Sequence, residues 1–227
     1  MRMLARGRHG PVHHPRFARC FARLSETMEP GVAGYREELL AGLTGRVVEI
    51  GAGNGLNFRH YPATVAEVVA VEPEPYLREL AVAAAAETGI PIQVVDGTAE
   101  ALPAADAAFD AGVASLVLCS VYDQPRALSE LHRVIRPGGE LRFFEHVQAE
   151  GGMLARVQRL ADLLWLLLAG GCHTSRDTVG AVTAAGFELD SCRRLRFPDT
   201  RLPSPNSPHV LGVARRPVDL PADPRSR

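Results

Sequence analysis

The chain contains no lysine, because all 25 of its basic residues are arginine. This absence excludes Schiff-base chemistry on a lysine and a P-loop whose lysine contacts phosphate. Cysteine is also scarce, and its four positions are far apart: Cys20, Cys119, Cys172 and Cys192. No CxxC pair and no Cys/His spacing typical of zinc occurs, so we expect reduced thiols and no metal site. An open alternative is that two of the cysteines pair near a substrate pocket.

The chain lacks an excess of charge and any long hydrophobic run. Its net charge is −1, which argues against nucleic acid as a partner. The uncharged apolar run at 163–172 is far shorter than the roughly 20 residues that span a membrane. Residues 1–15 carry arginines and histidines without the apolar segment of a secretory signal. We therefore predict a cytoplasmic protein with a mobile basic arm at 1–15; peripheral membrane contact is an open alternative.

The remaining composition is typical of one globular α/β domain, since 46% of the 227 residues are hydrophobic. Short apolar runs alternate with amphipathic segments along the chain. The runs predict strands near 47–50, 66–71, 91–95, 109–118, 140–147, 187–197 and 209–214. The amphipathic segments predict helices at 75–88, 124–135, 153–168 and 178–185. Strands that alternate with helices predict a parallel sheet with right-handed crossovers.

The two ends of the folded domain, which we place at 16–215, show other patterns. Residues 16–45 predict two N-terminal helices, separated by Pro30-Gly31, with core packing or a lid over a pocket as their function. Residues 216–227 predict a disordered tail.

A glycine-rich turn follows the first predicted strand. Three glycines occupy five positions in Gly51–Gly55, and a helix start comes next. Glycine permits positive φ and close approach of the backbone, and a helix N-terminus attracts negative groups. Leu56 breaks the Gly-x-Gly-x-x-Gly pattern of dinucleotide enzymes. Glu72, at the end of the second strand, is placed to accept hydrogen bonds from a ribose diol.

Together these motifs resemble the class I S-adenosylmethionine-dependent methyltransferases. The resemblance is carried by Glu72 and by VVEIGAGNG (47–55), GTAEALP (97–103), FDAGVASLVLCSV (109–121) and RVIRPGGELRFFEHV (133–147). It implies a Rossmann-like three-layer αβα sandwich in the α/β class. Its seven-stranded sheet would be mostly parallel, with the last strand antiparallel. It also implies S-adenosylmethionine as cofactor and S-adenosylhomocysteine as product.

The resemblance further implies a cofactor-binding set. Glu49 and the glycine-turn backbone would hold the methionine end, Glu72 the ribose, and the other members the adenine or the methionine portion. The full set is Glu49, Gly51, Ala52, Gly53, Asn54, Gly55, Glu72, Pro73, Thr98, Ala99, Glu100, Leu118 and Cys119. Many relatives have an acid at the position of Thr98, so here Asp96 or the Thr98 hydroxyl would contact the adenine amino group.

A narrower resemblance concerns the acceptor. Trp165 and the motifs LVLCSVYDQ (116–124), FFEHV (143–147), GCHTSR (171–176) and NFRHYP (57–62) are similar to a methyltransferase-like group that contains alkyl thiol S-methyltransferases. It implies methyl transfer to the sulfur of a small thiol. Quinone C-methyltransferases and phospholipid N-methyltransferases are similar over the same region, so a C-, O- or N-acceptor stays an alternative. A non-catalytic cofactor-binding subunit is the alternative from another class.

The candidate catalytic residues are His146 and His173, because histidine titrates near neutrality. A structural histidine bonded to the backbone is the other interpretation of His146. A few per cent of a free thiol is already ionised near pH 7, so a strong base and a catalytic metal are not required. The candidate substrate-binding residues are Tyr61, Tyr122, Trp165 and Arg176.

Overall fold

The computed structural model describes residues 15–168, 172–199 and 204–218, without the side chains of residue 16 and residues 161–168. The predicted arm at 1–15 and tail at 216–227 therefore lie mostly outside the described residues. Within them the helices are α1 (Pro15–Leu40), α2 (Pro75–Ala85), α3 (Gln124–Val134), α4 (Gly152–Leu168) and α5 (Thr178–Ala184). The strands are β1 (Gly45–Ile50), β2 (Val65–Val71), β3 (Ile92–Val95), β4 (Phe109–Ser115), β5 (Ile135–His146), β6 (Glu188–Arg196) and β7 (Pro208–Arg215).

The strands form one sheet in the order β3-β2-β1-β4-β5-β7-β6. Neighbours from β3 to β5 run parallel, whereas β7 is antiparallel to both β5 and β6. This topology confirms the predicted seven-stranded, mostly parallel sheet with an antiparallel last strand. The strand order reverses between β1 and β4, and in such sheets the crevice at that point binds ligands.

Helices cover both faces of the sheet because successive strand residues point to opposite sides. Val48 and Phe143 belong to the apolar cluster that packs against α3 and α5. Their neighbours Val47 and Phe144 belong to the cluster that packs against α1 and α2. The two clusters confirm the three-layer arrangement.

Carboxylate caps fix the starts of three helices. Glu74 accepts from the Leu77 amide before α2, Asp123 from the Arg126 amide before α3, and Asp177 from the Gly180 amide before α5. Each cap satisfies one of the amide groups that a helix start leaves without a partner. Each of these helices also begins at the carboxyl edge of the sheet, where the caps fix the loops that precede them.

The N-terminal region differs from its prediction, because α1 is one helix of 26 residues with Pro30 inside it. Proline removes one helical hydrogen bond, but packing on the sheet through Leu39 and Leu40 holds the helix. The ion pair of Glu29 with Arg36, at 3.0 Å, also joins the turns on either side of Pro30. The expected break at Pro30-Gly31 is therefore wrong.

The fold extends beyond the predicted C-terminal boundary at residue 215. Arg216, which we expected in the disordered tail, donates its backbone amide to the Gly139 carbonyl at 2.8 Å and belongs to the fold. Among the helices that the structure describes, none is long and apolar enough to cross a membrane.

Replacement of Leu131 by alanine should destabilise the fold, because this α3 side chain is fully buried in the core. Such truncations cost about 2–5 kcal/mol of unfolding free energy. Leu160→Ala is the matched control, since Leu160 on α4 is 81% exposed. Urea titration should show a large loss for the first variant and under about 0.5 kcal/mol for the second. Equal losses would contradict the assigned packing of α3.

Candidate active site

The glycine turn lies at the carboxyl end of β1. Gly51, Gly53 and Gly55 have φ of 60°, 57° and 78°, a region that side chains with a Cβ atom rarely adopt. A Cβ atom on Gly51 would lie 2.2 Å from Val117, and one on Gly55 would lie 2.9 Å from Phe58. Glycine is therefore required here both for the backbone conformation and for packing.

Helix α1 packs over the same turn. The Phe21 ring lies 3.4 Å from the position that a Cβ on Gly53 would take. The Ser25 hydroxyl donates to Asn54 Oδ1 at 3.4 Å, and Asn54 is buried. Ala52 is buried in the turn as well, and its amide donates to the carbonyl of Val71. These contacts place α1 beside the predicted cofactor site, where its predicted function as a lid stays a prediction.

Glu72 joins the turn to the end of β2. Its Oε2 accepts from the Gly53 amide at 2.8 Å, and its Oε1 accepts from the Glu74 amide at 2.9 Å. Burial raises the pKa of Glu72, and these two hydrogen bonds oppose that shift. Each carboxylate oxygen can accept a second hydrogen bond, so the remaining lone pairs suit ribose hydroxyls. Arg78 caps the carbonyls of Glu72 and Pro73, which fixes the backbone on which the adenine would lie.

Glu49 lies beneath the turn in a buried polar network. Its oxygens accept from Asn57 Nδ2 and from the Tyr61 hydroxyl, both at 2.8 Å. Arg36 reaches the network from α1 and donates to Asn57 Oδ1 at 2.6 Å. Burial raises the pKa of Glu49 to about 7, although the hydrogen bonds from Tyr61 and Asn57 oppose the shift. The predicted cofactor carboxylate is thus held rigidly by partners that sequence analysis missed.

Tyr61 lies buried next to Glu49. The side chain is 8% exposed and packs in the core between the sheet and α1. Its hydroxyl donates to Glu49, so it belongs to the network under the glycine turn. The substrate role of Tyr61 stays a prediction.

The loop after β3 contacts the loop that precedes α3. Thr98 pairs with Ala101 in an isolated bridge, and Ala99 is buried. Glu100 Oε1 accepts from the amide of Tyr122 at 2.9 Å, while the Tyr122 side chain is 87% exposed. Asp96, the suggested substitute for an adenine-binding acid, is exposed and pairs with Arg78 at 3.1 Å. The cofactor roles of Thr98, Ala99 and Glu100 and the substrate role of Tyr122 stay predictions.

A buried carboxylate organises the loop after β4. Glu145 is completely buried and accepts from the amides of Val117, Leu118 and Cys119 at 2.9, 2.9 and 3.2 Å. Burial raises its pKa to about 7, against the effect of these three hydrogen bonds. Leu116 has a φ of 57°, which turns the chain away from the ladder, so β4 ends earlier than predicted. The signal for Glu145 in the sequence is a lone acid in the apolar run FFEHV.

Two thiols and an imidazole, all of which can bind a metal ion, meet at this loop. The sequence showed no Cys/His spacing typical of a metal site. Cys119 Sγ lies 3.5 Å and Cys172 Sγ 3.9 Å from His146 Nδ1. Both cysteines are buried free thiols, whereas His146 is half-buried. The pKa of Cys172 lies below its usual range, because the Cys119 thiol donates to it and His146 adds a second hydrogen bond. Cys119 and Cys172 are therefore close together as free thiols and do not form a disulfide.

The other predicted residues of this region surround the three groups. The His173 amide donates to the Cys119 carbonyl at 2.8 Å. Arg176 donates to the carbonyls of Leu118 and Val121 at 2.6 and 2.8 Å, so it braces the loop. The catalytic role of His173 and the substrate role of Arg176 stay predictions. The side chain of Trp165, on α4, lies outside the described part of the chain.

Comparison with known proteins agrees with this geometry. The family profile described as a methyltransferase domain matches residues 48–143. Thiol S-methyltransferase TMT1A of Homo sapiens is 34% identical over 180 residues, which cover 77% of this chain and 72% of that protein. TMT1B of Rattus norvegicus is 33% identical over 173 residues, which cover 74% and 69%. A solved structure of geranyl diphosphate methyltransferase with S-adenosylmethionine shares the fold, with a TM-score of 0.66, 16% identity, and coverage of 91% and 92%.

The fold and the glycine-turn site define an S-adenosylmethionine-dependent methyltransferase. The positive-φ glycines and the buried Glu72 fit this cofactor, because glycines let a ligand approach the backbone closely and Glu72 places a carboxylate at the switch point of the sheet. The chain belongs to the family that contains the TMT1 thiol S-methyltransferases.

The raised pKa of Glu49 predicts a pH-dependent stability in the cofactor-free protein. The unfolded carboxyl has its ordinary pKa of 4.5 and the folded one about 7, so between these values only the folded state keeps the proton. Stability should therefore fall as pH rises through this window, by up to about 3 kcal/mol. In Glu49→Gln this contribution is absent at every pH.

Urea unfolding at about pH 5 and about pH 7.5 measures the effect as the difference between wild type and variant. The advantage of wild type over Glu49→Gln should shrink at the higher pH. Glu188→Gln is the control, because Glu188 is exposed on β6 and should leave the pH dependence unchanged. Parallel pH profiles for wild type and Glu49→Gln would contradict the prediction.

Proposed function

We propose that the chain methylates the sulfur of a small, partly apolar thiol. The observation that carries the proposal is its 34% identity to a thiol S-methyltransferase over 77% of the chain. The site supports it, since a half-buried histidine lies beside two buried thiols at the end of β5. This surrounding suits a sulfur nucleophile better than a hard oxygen nucleophile.

S-adenosylmethionine supplies a methyl group that is already activated by a positive sulfonium. The protein has to bind the acceptor, orient its nucleophilic atom and exclude water. Orientation alone can supply about 7–11 kcal/mol of the barrier. Glu72 would hold the ribose of the donor beside the Gly51–Gly55 backbone, and Leu118 and Cys119 would border the donor. The acceptor would lie beside His146.

His146 would stabilise the reacting thiolate. An imidazole next to a thiol favours the ionised sulfur, and the thiolate is the nucleophilic form. His146 Nδ1 already faces sulfur atoms in the structure, at 3.5 and 3.9 Å. Its ring also lies 4.3 Å from that of His209, and burial lowers the pKa of His209 to about 3. His209 is therefore neutral at physiological pH.

Glu72→Ala should weaken binding of S-adenosylmethionine at least tenfold, because the ribose would lose its acceptor and the Gly53 amide its partner. Titration calorimetry measures the change. Glu79→Ala is the control, since Glu79 is exposed on α2. Circular dichroism establishes that both variants are folded, and unchanged affinity of a folded Glu72→Ala protein would overturn the ribose role.

A matched acceptor panel tests the thiol proposal. We expect turnover of a small aryl-alkyl thiol and far less of the alcohol and amine with the same carbon skeleton, measured by mass spectrometry of the methylated product. Because only the acceptor atom changes, the comparison isolates the preference for sulfur. A phenol and a quinone complete the panel. Methylation of either of these, or of the alcohol, without methylation of the thiol would refute the proposal.

A further inference from the structure

Three ligand groups converge from separate parts of the chain at the carboxyl edge of β4 and β5. Cys119 lies in the loop after β4, His146 ends β5, and Cys172 lies in the segment between α4 and α5. Their ligand atoms all lie within 4.8 Å of one another. Of the four cysteines, the two in this group are buried, whereas Cys20 and Cys192 are exposed. The sulfur atoms of the two buried cysteines thus lie close together.

The spacing of the ligand atoms fits a tetrahedral zinc site. Zinc–sulfur bonds of about 2.3 Å and zinc–nitrogen bonds of about 2.0–2.1 Å at the tetrahedral angle place sulfur about 3.6 Å from nitrogen. The two observed distances from sulfur to His146 Nδ1 are 3.5 and 3.9 Å. One ion could therefore be bound with small side-chain adjustments.

Hydrogen bonds outside the ligand set hold the three segments in register. Glu145, next to His146, accepts from the Cys119 amide at 3.2 Å. The amide of His173, next to Cys172, donates to the Cys119 carbonyl at 2.8 Å. The Gln148 amide donates to the Arg176 carbonyl at 3.1 Å, which joins the chain after β5 to the Cys172 segment. Ligands that are fixed by their surroundings in this way are typical of built metal sites.

We propose that Cys119, His146 and Cys172 bind one zinc ion, whose fourth position takes the acceptor thiol as a thiolate. Two sulfur ligands and one imidazole favour zinc over the hard cations that prefer oxygen. Three protein ligands leave one position open, as in catalytic zinc sites, and the half-buried His146 marks the accessible side. On zinc binding, Cys119 and Cys172 lose their thiol protons to solvent, and the acceptor thiol does the same when it takes the fourth position. The acceptor sulfur then uses an electron pair to bond the methyl carbon of S-adenosylmethionine, while the bond from that carbon to the sulfonium breaks and S-adenosylhomocysteine leaves. The acceptor role rests on the proposed thiol methylation; the metal site does not.

Metal analysis tests the site without any assay of activity. Protein expressed with zinc and dialysed against a weak chelator should retain about one zinc per chain by mass spectrometry of the metal. Cys119→Ser and Cys172→Ser should lose it. The controls Cys20→Ser and Cys192→Ser should keep it, since both cysteines are exposed and outside the group. Wild-type protein that is folded, yet holds no more zinc than the Cys119→Ser/Cys172→Ser double variant, would overturn the site.

Cobalt(II) substitution tests the fourth position. Cobalt bound to thiolate absorbs visible light, so the thiol of the acceptor panel should change the spectrum and its alcohol analogue should not. An unchanged spectrum at saturating thiol would overturn the open position. The two proposals fail separately: thiol turnover by zinc-free protein refutes the metal role alone. Stoichiometric zinc with methylation only of oxygen, nitrogen or carbon refutes the thiol function and leaves the metal site.

Discussion

Burial of carboxylates is the constraint on which the site depends. Glu49, Glu72 and Glu145 each stand at the carboxyl end of a strand and are at most 5% exposed. A buried carboxylate costs several kcal/mol unless hydrogen bonds replace its water. Here the donors are mainly backbone amides of irregular loops. The carboxylates thus accept hydrogen bonds from loop amides, as carbonyls of a neighbouring strand do from the amides of a strand. The compensation is incomplete, because the pKa of Glu49 and that of Glu145 both rise to about 7.

The same constraint links the glycine turn to the loop after β4. Glu145 fixes Val117, and Val117 packs where a Cβ on Gly51 would lie, only 2.2 Å away. The glycine turn and the loop after β4 are therefore in direct contact, and Val117 can pack this closely only because Gly51 has no side chain. The positive φ of Leu116 costs about 1–3 kcal/mol. The hydrogen bonds from the next three backbone amides to Glu145 maintain this conformation.

The sequence predicts the part of this architecture that local patterns encode. Buried apolar runs locate the strands, and the glycine turn with Glu72 locates the cofactor site. It could not predict that α1 continues through Pro30, since tertiary packing there outweighs local propensity. It also missed the group of Cys119, His146 and Cys172, whose members are 26 and 27 residues apart. Parallel pairing brings the ends of β4 and β5 together at any sequence separation, so no spacing pattern reports the group. The hydrogen bond from Tyr61 to Glu49 depends on how the loop after the glycine turn folds back on β1, which no local pattern reports either.

The two halves of the carboxyl edge offer different chemistry. On the side of β1 and β2 the buried groups are the carboxylates of Glu49 and Glu72, which accept hydrogen bonds from hydroxyl and amino groups such as those of the cofactor. On the side of β4 and β5, Glu145 accepts hydrogen bonds from the loop, and the thiols of Cys119 and Cys172 lie close to the imidazole of His146. Thiolates are soft, polarisable ligands, and imidazole also suits zinc. The proposed sulfur acceptor and the proposed zinc ion both suit such ligands. We therefore include in the same proposal that selectivity for the methyl acceptor originates in this half of the sheet and not in the glycine turn.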